Sequence, residues 1–250
     1  MRTLGVDLAA SPATTAACMI TWNHGQAVVD KPIRPLDDAR LLAFLDDLGP
    51  GDRAGVDCPF GWPVDFVAAV AAHARGQRWP GRGENSIEYR ARMRLRLTDR
   101  RVAEVTGRIP LSVAFDKLGA TAARWAHLAD ALAASGRSVD RTGAGLVAEV
   151  YPAAARLRWN LSSTRSVTEF QTALPSLQFA DQSGAAAYER DEHAFDALVA
   201  ALVARAVALD LTEPPPPSEL SVAAVEGWIH LPRPDSLAAL TSFDDRTPSH

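Results

Sequence analysis

Hydrophobic and polar positions along the chain change period several times, and each change marks an element. Arg2-Thr3-Leu4-Gly5-Val6-Asp7-Leu8-Ala9-Ala10 is a nearly continuous apolar run, the pattern of a buried strand. Ser11-Pro12 breaks it. Thr14 to Trp22 reads as a second strand, Asn23-His24-Gly25 as a turn and Gln26 to Asp30 as a third strand, so the chain opens with a three-strand meander. Asp38 to Leu48 carries Leu41, Leu42, Phe44, Leu45 and Leu48 at helical spacing and ends at Gly49-Pro50-Gly51. A fourth short apolar strand, Arg53 to Pro59, runs into the breaker-rich Phe60-Gly61-Trp62-Pro63.

Val64 to Ala74 predicts a helix, residues 76 to 85 a polar loop and residues 86 to 106 a partly helical stretch. Asp116 to Ser135 is a long Ala-rich helix stopped by Gly136. Gly145 to Tyr151 reads as the fifth strand, closed by Pro152, and residues 153 to 185 as a helical insertion of poor period. Asp191 to Leu211 is the clearest helix, with an apolar stripe of Phe195, Leu198, Val199, Leu202, Ala206 and Leu209. Four prolines, Pro214 to Pro217, form a stiff linker. The tail holds Glu226 to Pro232 and a short helix at Asp235 to Leu240.

A meander followed by alternating helix and strand predicts an α/β fold: a mixed five-stranded sheet flanked by helices, with a helical insertion. A right-handed crossover sets the fourth strand beside the first and parallel to it. The division expected is one domain over 1–212, then a Pro-rich linker and C-terminal extension over 213–250 that packs on the same domain.

Composition narrows the class. The 250 residues are 47% hydrophobic, enough for a sizeable core. No apolar run approaches the roughly 20 residues that a membrane helix needs. The two cysteines, Cys18 and Cys58, show no metal-ligand spacing, and Met1-Arg2-Thr3-Leu4 does not open a signal peptide, so a cytoplasmic location with reduced thiols is expected. A net charge of −4 argues against a protein that coats nucleic acid. The charge is uneven, however: between Arg75 and Arg108 stand ten arginines, Arg82 among them, against four acids.

The candidate chemistry lies in carboxylates on apolar elements. Gly5-Val6-Asp7 and Gly55-Val56-Asp57 repeat one pattern, and two such strands side by side bring Asp7 and Asp57 together. Like charges that close cannot both stay ionised without a cation or a shared proton. Asp196 sits beside the apolar stripe of the late helix with His193 three residues earlier. Glu149 lies between Ala148 and Val150 in the fifth strand, as a site residue or a strand-edge ion pair. Oxygen ligands without a Cys/His cluster suit Mg²⁺ or Mn²⁺, ions that activate water and stabilise a leaving oxygen at phosphorus. Trp62 and Trp79, in breaker-rich loops, are placed to stack on a base or to pack in the core.

Six motifs, Gly5 to Ala10, Val56 to Pro63, Arg96-Leu97-Thr98-Asp99-Arg100, Glu149-Val150-Tyr151-Pro152, His193 to Leu198 and Glu226-Gly227-Trp228-Ile229, together resemble a bacterial and archaeal family of unknown function usually labelled a predicted nuclease of RNase H-like fold. RuvC-type resolvases are distant members of that superfamily. The resemblance implies an RNase H-like catalytic domain over 1–212. It implies a metal-dependent phosphodiester hydrolase with Asp7, Asp57 and Asp196 as ligands, His193 as ligand or proton-transfer group and Glu149 in an open role. Nucleic acid, DNA or RNA, is the implied partner, with Arg92, Arg94, Arg96 and Arg100 meeting its phosphates. Two other classes stand beside this reading: an actin-like nucleotide-binding phosphotransferase, and a non-catalytic binding protein that retains the fold.

Overall fold

The structure, a computed structural model, describes residues 1–81 and 83–241; Arg82 lies outside the described residues. In chain order the elements are β1 (Arg2–Asp7), β2 (Ala16–Asn23), β3 (Gln26–Val29), α1 (Asp38–Asp47), β4 (Arg53–Asp57), α2 (Val64–Ala74), α3 (Ser86–Arg94), α4 (Leu97–Thr106), α5 (Gly119–Ala134) and β5 (Val147–Glu149). There follow α6 (Pro152–Arg158), α7 (Val167–Ala173), β6 (Leu177–Phe179), α8 (Gln182–Arg190), α9 (Glu192–Ala208), β7 (Thr212–Glu213), α10 (Leu220–Glu226) and β8 (Leu231–Pro232). The chain divides into two compact units, one of Met1–Asp57, Val150–Glu213 and the chain from His230, the other of Cys58–Glu149 and Pro214–Ile229. Residues 214 to 229 belong to the second unit and the chain from His230 to the first.

Five strands of a mixed sheet lie in the first unit, in the order β4-β1-β2-β3-β6. β1 and β2 pair antiparallel, as do β2 and β3. β4 runs parallel to β1 with Gly5 opposite Gly55 and Asp7 opposite Asp57. β6, parallel to β3, is a strand that the residue pattern does not announce: three residues inside a segment expected to be helical are too few to show alternation. The core joins β2 and β3 to α6 through α9, with Trp22, Trp159, Phe170, Tyr188 and Phe195 at its centre. α9 is buried on nearly every side, not along one stripe, as a helix is when elements cover it all round.

The approach of α9 to the sheet sets the geometry of this unit. A Cβ on Gly5 would run into the Ala197 carbonyl and the Ala201 amide, and one on Gly55 into the Ala200 carbonyl. At these places the α9 backbone rests on the strand backbone, and Ala197, Ala200 and Ala201 present nothing larger than a methyl group.

The second unit holds α2 to α5, β5 and α10. Phe60 stacks on Trp125 with ring centroids 4.7 Å apart. A buried ion network surrounds Arg96, which is 2% exposed and precedes α4. Its guanidinium donates to Glu149 at 2.7 and 3.0 Å, to Asp99 at 2.8 and 3.1 Å and to the Glu226 carbonyl at 3.0 Å. Glu149 also accepts from the Phe60 amide at 2.9 Å. The Glu226 carboxylate accepts from the amides of Val64 and Leu97, at 2.8 and 2.6 Å. Gly227, at φ +89, passes against Glu149 and Arg96 where a side chain would collide with them. No helix among the described residues is long and apolar enough to cross a membrane.

Gly5 does not have a positive φ, so space alone demands glycine there. Gly5→Ala is therefore expected to cost about 3 kcal/mol by overpacking against a backbone that cannot yield. Gly51→Ala, with nothing within 4 Å, should stay within roughly 0.5 kcal/mol of the parent. Urea unfolding of both variants checks the contrast, and equal stabilities would refute the close-packing account.

Candidate functional site

Side chains alternate faces along a strand, so Asp7 shares the α9 side of β1 with Gly5, and Asp57 shares it with Gly55. Two strand residues advance about 6.6 Å, and one helical turn advances about 5.4 Å. Ala197 lies over Gly5, so the residue one turn earlier, His193, is carried to Asp7. The structure has His193 Nδ1 at 2.6 Å from Asp7 Oδ2. By the same spacing Asp196, one turn before Ala200 over Gly55, is carried toward Asp57. All four side chains belong to the first unit.

The electrostatics are those of an undercompensated acidic site. Burial pushes the Asp7 carboxyl up to about 6; the hydrogen bond from His193 opposes this, and Glu192 and Asp191 add to it. Burial and then the charge of Asp7 push Asp196 up to about 7, against the pull of Arg156. Among the described residues the Asp196 carboxylate has no hydrogen-bond partner, which is costly for a half-buried acid. Arg156 turns its guanidinium over the Phe195 ring, 5.3 Å from its centroid, and donates to the carbonyls of Ser162 and Thr164.

Hard oxygen donors at raised pKa suit Mg²⁺ or Mn²⁺, and the unpartnered Asp196 carboxylate is an acceptor that such a cation would satisfy. Among the described residues no three His, Cys, Asp or Glu side chains already converge as a metal-binding group. Asp7 is held by His193.

Glu149 belongs to the second unit, is 1% exposed and is paired with Arg96. Burial raises its pKa and Arg96 opposes the rise. Arg96 is likewise withdrawn from the surface arginines. Burial alone would lower its pKa, yet Asp99 and Glu149 more than offset that and hold it charged. Arg92 is half-exposed and paired with Asp65 at 2.8 Å and Glu84 at 2.5 Å, while Arg94 is exposed and Arg100 half-exposed. Trp62 is half-buried in the second unit.

Three further features complete the site. Gly5 and Gly55 are the reason that the helix can reach the aspartates. Asp191 is the N-cap of α9, accepting from the His193 and Ala194 amides at 3.0 and 3.2 Å. Arg34 pairs with Asp191. The glycines were visible as the shared Gly-x-Asp spacing, and Asp191 as an N-cap residue before an apolar helix. Arg34 lies 157 residues from its partner, and no local pattern could have joined them.

A family model described as "Protein of unknown function (DUF429)" matches residues 5–220, and the chain belongs to that family. No curated protein and no solved structure matches the chain.

The folded pKa values of Asp7 and Asp196 stand above the unfolded value of about 3.9, so the folded state holds protons that the unfolded chain releases. Their contribution to stability is full below about pH 4 and is lost as pH rises through about 6 to 7. In metal-free buffer at pH 8, Asp196→Asn should therefore raise Tm by about 2–4 °C, for a relief of roughly 1 kcal/mol once partial exposure is allowed for. At pH 4 the two proteins should melt together. A lower Tm for the variant at pH 8 would show that the carboxylate carries no charge strain.

Proposed function

We propose that this member of the DUF429 family is a metal-dependent phosphodiester hydrolase, a nuclease, in which Asp7, Asp57 and Asp196 hold Mg²⁺ or Mn²⁺. One observation carries the reading. Two parallel strands end in register on Asp7 and Asp57, beneath a helix that brings His193 onto Asp7 and leaves Asp196 with a raised pKa and no hydrogen bond among the described residues. The antiparallel β1-β2-β3 meander with β4 parallel to β1 supports an RNase H-like identity for the sheet.

A bound divalent ion supplies water of lowered pKa and positive charge against the phosphate. The rest of the chemistry belongs to the chain. Asp7, when ionised, accepts from Nδ1–H of His193 and so fixes the tautomer with Nε2 unprotonated. Among the described residues Nε2 has no partner, and the side chain is 35% exposed, so Nε2 can take a proton from an entering water. Arg90, Arg94 and Arg100 are arginines of the basic stretch suited to phosphates. Arg94 and Arg100 have no ion pair among the described residues, and Arg90 donates only to the Ser86 carbonyl of its own helix. Arg92 can join them only by giving up Asp65 and Glu84.

A binding protein that retains the fold is favoured by a different observation, the lack of three converged donors among the described residues. The actin-like reading has less support, because residues 8 to 15, which follow β1, contain no glycine for a phosphate loop.

Titration of Mn²⁺ into metal-free protein, followed by assays on single-stranded, duplex and branched DNA and RNA and on ATP, separates the three. The nuclease reading predicts calorimetric Mn²⁺ binding and Mn²⁺-dependent strand cleavage that falls at least about a hundredfold in each of Asp7→Asn, Asp57→Asn and Asp196→Asn. It also predicts that replacing Arg90, Arg94 and Arg100 together by Gln weakens oligonucleotide binding and flattens its salt dependence, with Mn²⁺ binding intact. A protein that neither binds Mn²⁺ nor cleaves any substrate contradicts it. Hydrolysis of ATP alone favours the phosphotransferase.

A further inference from the structure

The Asp7–His193 contact joins two segments far apart in the chain, and neither is held in place by that contact alone. Asp7 ends β1 and leads into residues 8 to 15, a tight connection. Here Thr15 Oγ1 accepts from the Ala9 amide at 3.3 Å and donates to the Ser11 carbonyl at 3.0 Å. His193 stands in the first turn of α9, where Asp191 Oδ1 receives its backbone amide.

One side chain touches both segments. Arg34 follows β3 on a strip of chain tied to β2 by reciprocal bonds between Ala17 and Ile33, each 3.0 Å. The Leu36 amide binds the Pro12 carbonyl at 3.1 Å on the same strip. From there Arg34 Nε donates to the Ala13 carbonyl at 3.1 Å, and Nη1 pairs with Asp191 Oδ2. A guanidinium presents several donors in a fixed plane, so one group can hold the connection after Asp7 and the cap before His193 at a set separation. The Asp191 carboxylate is divided between these tasks, with Oδ1 capping the helix and Oδ2 meeting the arginine.

We infer that Arg34 is a positioning residue for this site: through Asp191 and the Ala13 carbonyl it sets the His193 imidazole against the Asp7 carboxylate. The pair is partly exposed, with side chains 31% and 30% accessible, and exposed ion pairs contribute little to stability. Its value lies in orientation, and a small misplacement of a reacting group can cost up to about a hundredfold in rate. The inference rests on the proposed hydrolase for its catalytic consequence, but not for its structural one.

The test reads the His193 imidazole by ¹H–¹⁵N NMR in the wild type and in Arg34→Gln, Arg34→Lys and Asp191→Asn. Asparagine is as good an N-cap as aspartate, so D191N removes the ion pair and keeps the helix start. In the wild type the Nδ1 proton is expected to be protected and shifted downfield by Asp7. It should be lost or exchange-averaged in R34Q and D191N, and partly restored in R34K, which can reach Asp191 but lacks the planar fork for Ala13. The R34Q/D191N double variant should lose no more than R34Q alone, because R34Q already breaks the pair. With Mn²⁺ and a cleaved oligonucleotide, kcat should fall by about ten- to a hundredfold in R34Q with recovery in R34K. An imidazole signal unchanged in R34Q and D191N would overturn the inference, as would equal loss in R34K and R34Q. A lower Tm with the wild-type imidazole signal would overturn it too, by making the pair merely structural. The imidazole signal is read without substrate, so it decides the positioning role even where the wild type cleaves nothing, an outcome that overturns the nuclease reading alone.

Discussion

The architecture of the first unit depends on how near α9 comes to β1 and β4. Gly5 and Gly55 stand opposite one another, and the α9 backbone occupies the space that their side chains would need. That contact fixes the helix in translation, because interiors are packed too tightly for a helix to slide by a residue without a clash. Once it is fixed, the periods of strand and helix do the rest. Two residues past each glycine stands an aspartate, and one turn before each overlying alanine stands a polar side chain of α9. His193 meets Asp7 and Asp196 is carried toward Asp57 for the same geometric reason. The repeated Gly-Val-Asp is thus a device in two parts, a glycine that admits the helix and an acid that uses it.

Two sets of half-buried or buried carboxylates among the described residues differ in electrical character. Around Arg96 the acids are balanced by a guanidinium and by backbone amides, as buried charges must be if they are to persist. Around Asp7 and Asp196 compensation is incomplete: one acid has a histidine, the other no hydrogen bond among the described residues, and both are pushed toward neutrality. A satisfied network supports structure. Acids with perturbed pKa values cluster at functional sites.

The strands β1 to β4, the parallel placement of Asp57 beside Asp7 and the full span of α2 are legible in the sequence, since each rests on a local period or on the right-handed crossover rule. What lay beyond reach was non-local. β6 is too short for alternation. Arg96 looks like its neighbours Arg90, Arg92 and Arg94 until the helix break at Leu95 turns it inward, where Glu149 and Asp99 are waiting. Arg34 and Asp191 carry no shared signal, for their meeting is a property of the packed sheet.

The central claim is that Asp7, Asp57 and Asp196 together receive a divalent cation. Diffraction at the manganese absorption edge, from crystals grown with saturating Mn²⁺, tests it most directly. The account predicts an anomalous peak coordinated by oxygens of these three residues at roughly 2.0–2.6 Å, with Asp196 no longer unpartnered. No peak there, or a peak elsewhere with all three carboxylates as they are without metal, would contradict it.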